Sequence, residues 1–187
     1  MLGTRSVLRR WAGGRSFNLL FSTYTKYIYS HNKTEVNVMS EVYIYFIYTG
    51  LLAFLVKLIV PINEIRRLSI YAIVFGAIAD VAILCMIKLV GPGGYINYGP
   101  FGFLGIPFFP LLAWTCYYIL YFYILPKGKR IRIIYIITAA SYSTLFANVL
   151  KNLGIFEWPY ERVILPFCIY LVWHSISTWG YLKLNLE

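Results

Sequence analysis

Apolar residues dominate five stretches of the chain, roughly 42–60, 68–90, 101–125, 133–150 and 163–183. Polar, glycine and proline residues break the pattern between them. A membrane-spanning α-helix needs about 20 mostly apolar residues, and each run is of about that length. The breaks are short: "PINEIRR", "GPGGYINYGP", "PKGKRIR" and "KNLGIFEWPYE". Pro61 stops the first run. Alternation with a period of two, the mark of a membrane β-barrel, is absent. The pattern predicts an all-α fold, a polytopic membrane helix bundle with five transmembrane helices.

Composition agrees with this class. Sixty per cent of the 187 residues are hydrophobic and 13% are charged, where soluble domains carry about 25% charged residues. The net charge of +10 could suggest nucleic acid. However, the basic residues sit at the ends of apolar runs, and no zinc-finger, RNP or helix-turn-helix pattern accompanies them. They act instead as orientation signals. From Met39 onward, Lys57, Arg66, Arg67, Lys127, Lys129, Arg130, Arg132 and Lys183 fall on one side of the five runs, while Lys88, Lys151 and Arg162 fall on the other. The positive-inside rule places the larger group in the cytoplasm, Met39 outside and the C-terminus inside. Tyr43, Tyr45, Trp158 and Tyr160 then fall near the outer interface. Tyr121, Tyr123, Trp179 and Tyr181 fall near the inner one, where amphipathic rings favour the headgroup level.

Residues 1–38 read differently from residues 39–187. They hold Arg5, Arg9, Arg10, Arg15, Lys26 and Lys33 against Glu35, and no run of spanning length. "MLGTRSVLRRWAGGRSF" has the Arg-rich, acid-free character of a mitochondrial targeting peptide, which would imply the inner mitochondrial membrane. The competing expectation is a start at Met39. "MSEVYIYFIYTGLL" suits the beginning of a small membrane protein, and the preceding "TEV" can be encoded by bases containing a bacterial ribosome-binding sequence. N-terminal sequencing separates the two: a mature chain retaining Trp11 would exclude the late start.

Asp80, the only aspartate in the chain, lies in the middle of the second run. An ionised Asp at the bilayer centre costs roughly 2.5–3.5 kcal/mol on insertion scales. Such a residue either stays protonated or has a partner. His174, the only histidine after Met39, falls at similar depth in the fifth run. The two are candidates for handling a proton or cation. The other reading makes Asp80 a hydrogen-bonded packing residue. In the fourth run Thr138, Ser141, Thr144 and Asn148 recur at spacings of three and four, which gives one polar helix face. That face serves helix packing or forms the wall of a polar cavity. A hydrolase built on Ser141 and His174 is a third possibility.

"GPGGYINYGPFGFLGIPFFP" is rich in glycine, proline and aromatic residues. It reads as a tight outer loop leading into a proline-kinked helix start, with a ligand-binding lid as the alternative. It does not fit the nucleotide-binding glycine fingerprint. Cys85, Cys116 and Cys168 lie in separate runs without metal-ligand spacing and read as buried small apolar side chains. No metal or other cofactor is implied, and no nucleophile motif of a known hydrolase class is present.

The pieces "AIADVAIL", "FGFLGIPFFPLLAWTCYYILYFYILPKGK" and "YSTLFANVLKNLGIFEW" make the chain resemble small, uncharacterised five-span membrane proteins of spore-forming, Gram-positive bacteria, over residues 41 to 185. The resemblance implies a bacterial plasma-membrane protein and lends no activity to any residue. The expected function is therefore that of a non-enzymatic accessory or structural membrane protein. Its partners would be the lipid bilayer and other membrane proteins or further copies of itself, with no nucleic acid. The alternative is a small transporter or ion-handling protein using Asp80, with His174 as a possible partner.

Overall fold

The computed structural model describes residues 41–91, 93–103, 106–158 and 163–185. The basic segment 1–38, and with it the question of a late start or a targeting peptide, lies outside the described residues.

The structure is mostly helical. Helix α1 spans Glu41–Ile59. Pro61, with extended backbone, caps α2 (Ile62–Ala72), which runs through a π-helical segment, Ile73–Ile78, into α3 (Ala79–Val90). The expected span of 68–90 is thus longer at its start. Proline favours a helix beginning. Glu64 suits the positive end of the helix dipole and pairs with Arg67 at 2.7 Å. The charged "PINEIRR" stretch therefore forms helical turns, not a connector. Helix α4 (Phe108–Ile124) is shorter than the expected 101–125. Its first residues instead form an antiparallel pair, β2 (Gly102–Phe103) with β3 (Ile106–Pro107). Helices α5 (Lys129–Asn152) and α6 (Ile164–Asn185) complete the chain order. Glu41–Ile59, Ile62–Leu89 and Lys129–Asn152 are long and apolar enough to cross a membrane, and α4 is a shorter apolar helix of 17 residues.

Two ends of the bundle are defined by what meets there. At one, β1 (Gly94–Tyr95) pairs with β4 (Phe156–Glu157), joining the α3–α4 and α5–α6 connections. The Tyr45 hydroxyl near the start of α1 lies 2.6 Å from the Ile96 carbonyl and 2.7 Å from the Ile155 carbonyl. At the other end, Tyr181 of α6 packs edge-on to Tyr71 of α2 and stacks on Phe122 of α4. Arg132 of α5 donates to the carbonyls of Pro126 and Lys127 in the preceding turn. The basic stretches around Arg66, Lys127 and Lys183 thus share this second end.

Aromatic residues build much of the core. Tyr45, Tyr121, Trp158 and Tyr181 are buried within it, whereas the sequence reading places them in interfacial belts. Tyr160 lies outside the described residues. Tyr43, Tyr123 and Trp179 do face outward. Leu58, Ile70, Leu89 and many other large apolar side chains also face outward, an arrangement that soluble monomers avoid. Cys85 and Cys168 are exposed on this surface, contrary to the expected burial, and Cys116 is half-buried.

Candidate functional site

Asp80 is the second residue of α3 and is buried, with 4% of its surface exposed. The π-helical segment precedes it. Widened turns of this kind take up an extra residue, so α3 is rotated by about 100° relative to an uninterrupted helix. The segment is held from two sides. Gly76 lies against the Trp114 backbone so closely that a Cβ there would come within 2.7 Å of the Trp114 carbonyl oxygen. The Trp173 indole donates to the Phe75 carbonyl at 2.7 Å. Together these contacts fix the direction in which Asp80 leaves its helix.

Three phenols surround the carboxyl group: Tyr48 of α1, Tyr95 of β1 and Tyr170 of α6. The Tyr95 hydroxyl is the hydrogen-bonding group within reach of it and itself accepts from the Trp114 indole at 3.0 Å. Desolvation pushes the Tyr95 phenol well above its ordinary pKa, so it remains a neutral donor. The Asp80 Oδ2 and the Tyr48 hydroxyl are both buried and have no hydrogen-bond partner among the described residues. The Thr49 hydroxyl beside Tyr48 donates instead to the Phe109 carbonyl at 3.2 Å. Buried polar atoms are nearly always partnered, and each exception calls for an explanation. Here two exceptions occur side by side.

His174 belongs to a separate cluster. It is fully buried, with Nδ1 3.0 Å from the Tyr118 hydroxyl and Nε2 3.0 Å from the Ser143 hydroxyl. An imidazole that donates at one nitrogen and accepts at the other closes both bonds. The Ser177 hydroxyl, with one proton to share, faces the Tyr118 oxygen at 3.2 Å and the Trp173 carbonyl at 2.8 Å. Tyr121 stacks on the imidazole and exchanges a 2.6 Å hydrogen bond with Thr178. No ion pair or hydrogen bond joins Asp80 to His174 among the described residues. The Trp114 ring lies between the clusters: it bonds Tyr95 on one side and packs against Tyr118 and Trp173 on the other.

The predicted polar face of α5 divides. Thr144 is buried and its hydroxyl donates to the Ala140 carbonyl at 2.8 Å. Asn148 is half-buried and donates to the Thr144 carbonyl at 3.0 Å. The Ser141 hydroxyl is spent on the Ile137 carbonyl at 2.9 Å, and Thr138 faces outward. Ser143, which the sequence reading misses, is the serine that reaches His174. A stripe of small residues, Ala140, Ser143 and Ala147, is the available signal, because such stripes mark where helices approach closely.

A cavity of about 110 Å³ lies between the two clusters. Tyr48 and Tyr95 line it from the Asp80 side, and Tyr117 and Ser143 from the His174 side. Leu52, Leu55, Ala113, Phe146, Ala147 and Leu150 supply apolar walls. Leu51 and Tyr142, which also line it, are more than half exposed on the outer surface of α1 and α5. Among the described residues no three His, Cys, Asp or Glu side chains gather as metal ligands. No protein-family model, no curated protein and no solved structure matches the chain, so the functional reading is carried by geometry.

Proposed function

We propose that this chain is a five-span, non-enzymatic membrane protein of the plasma membrane that holds a small, largely apolar molecule inside its helix bundle. The supporting observation is the cavity itself: apolar walls and, at one side, the buried and unpartnered Tyr48 hydroxyl with the Asp80 carboxyl behind it. Small-molecule sites have this composition, an apolar lining with a few convergent polar groups. The exposure of the lining residues Leu51 and Tyr142 supports an opening between α1 and α5, on the surface that lipid would cover. A ligand would therefore enter from the bilayer. Helix α4, with 17 residues, and α6 complete the five spans. The basic residues at the α2, α5 and α6 end favour a cytoplasmic position for that end.

Ala147→Phe fills the cavity from the α5 wall and tests the site. Cyclopentanol titrated into the detergent-solubilised full chain is expected to bind saturably to the wild type and not to the variant, provided the variant melts like the wild type. Equal binding to both would place any cyclopentanol elsewhere and contradict the reading. Orientation is read separately with cysteines introduced at Asn97 and Lys129. Only the second is expected to react from the cytoplasmic side, and the reverse pattern would invert the topology.

An ion-handling role for Asp80 is favoured by one observation, its unpartnered Oδ2. Proton and cation flux in proteoliposomes, lost in Asp80→Asn, would support it. Absence of flux in both proteins would leave the binding role alone.

A further inference from the structure

The geometry points to an organic amine, bound as its ammonium, as the class of molecule this cavity takes. The inference rests on the binding role proposed above and concerns the chemistry of the ligand's head. Asp80 is the only acidic side chain among the described buried residues, and one of its oxygens is unpartnered. Beside it stand Tyr48, Tyr95 and Tyr170; these three and Trp114 line the cavity, while Asp80 itself lies behind the wall. Aromatic faces attract cations, most strongly where water is excluded. The rings line the cavity and supply the quadrupole, and Asp80, once it yields its proton, supplies the counter-charge from behind them. The unpartnered Tyr48 hydroxyl gives the head a further hydrogen-bonding contact.

Neutral and anionic heads fit less well. An anionic head would lie on the Asp80 side with no buried cation to offset it, since none of the described buried polar or charged side chains is a lysine or arginine. A neutral alcohol could bond Tyr48 but would leave the counter-charge unused. Size sets a further limit. An apolar cavity of about 150 Å³ holds the six ring atoms of benzene, so about 110 Å³ encloses on the order of four or five non-hydrogen atoms. Anything longer must extend through the opening between Leu51 and Tyr142 into lipid. The class is therefore a compact alicyclic or short-chain amine, or a longer lipophilic amine whose tail projects from the bundle.

Cyclopentylamine and cyclopentanol share their carbon skeleton and differ in the head. Each is titrated at neutral pH into the detergent-solubilised full chain, with binding read by calorimetry. The amine is expected to bind about tenfold more tightly than the alcohol, and Asp80→Asn is expected to abolish the difference. If Asp80→Asn does not fold, Tyr48→Phe, which removes only the hydroxyl, is expected to weaken the amine by a few-fold in its place. Equal or tighter binding of the alcohol by the wild type would overturn the inference. So would an amine preference that survives Asp80→Asn. In either case Ala147→Phe-sensitive binding of cyclopentanol would leave the cavity reading standing. Failure of both molecules to bind would overturn the two together.

Discussion

Asp80 and His174 were both legible as unusual residues, because an ionisable group within an apolar run is conspicuous in any sequence. Their surroundings were not. Matched depth made a contact between them possible, yet each is enclosed by hydroxyls from other elements: Tyr118 and Ser143 for His174, Tyr95 and Tyr48 for Asp80. Tyrosine is ambiguous in a membrane sequence. The same amphipathic ring serves an interfacial belt or a buried hydrogen bond, and only the packing decides. The two residues should also respond differently to substitution. His174 holds bonds at both ring nitrogens, so His174→Phe, which keeps an aromatic ring, is expected to cost on the order of 1–3 kcal/mol. Asp80→Asn is expected to be close to neutral for folding, because Oδ2 has no bond to lose. Thermal unfolding in detergent checks both. A neutral His174→Phe beside a strongly destabilised Asp80→Asn would reverse the roles assigned here.

Among the elements, the long apolar helices Glu41–Ile59, Ile62–Leu89 and Lys129–Asn152 were readable from length and hydrophobicity, since an α-helix satisfies its own backbone whatever packs around it. The departures arise where local backbone chemistry overrides hydropathy. Pro61 begins a helix in a charged stretch. The "GPFGFLGIPF" region forms a short strand pair in place of the first turns of α4. The π-helical segment was not legible at all: "IVFGAI" reads as ordinary apolar helix, and its widening is bound up with contacts to Trp114 and Trp173 from distant parts of the chain. Gly76 is the residue that permits this approach. A methyl group there would meet main-chain atoms of Trp114 at 2.7 and 2.9 Å, which cannot swing aside. Gly76→Ala is therefore expected to destabilise by about 1–3 kcal/mol, the usual cost of overpacking. At Gly180 the nearest atom is the tip of the Phe75 ring at 2.5 Å, which can rotate, so Gly180→Ala is expected to cost less. Comparing the two melting transitions checks this, and an unperturbed Gly76→Ala would show that α4 does not depend on that close contact.

At the scale of the molecule, charge and hydropathy indicate the class, and the structure adds how the parts converge. One end is closed by paired strands and by Tyr45, whose hydroxyl reaches two carbonyls from different connections. The opposite end gathers basic residues. Between them, two polar clusters that the sequence could not relate to one another border the same cavity. No spacing rule places Tyr48, Tyr95 and Ser143, from α1, β1 and α5, around one space; that juxtaposition comes only from the tertiary fold. If this space is a binding site whose polar side is set by Asp80, a ligand of the right chemistry should be visible inside it. The crystal structure of the full chain with a brominated cyclopentylamine, located by the anomalous signal of bromine, tests this first. A bromine peak is expected within the cavity, among Leu52, Ala113 and Phe146, with the amine directed at Tyr48 and Tyr95 on the Asp80 side. Bromine found only on the outer surface of the helices, with the cavity empty, would contradict the binding role.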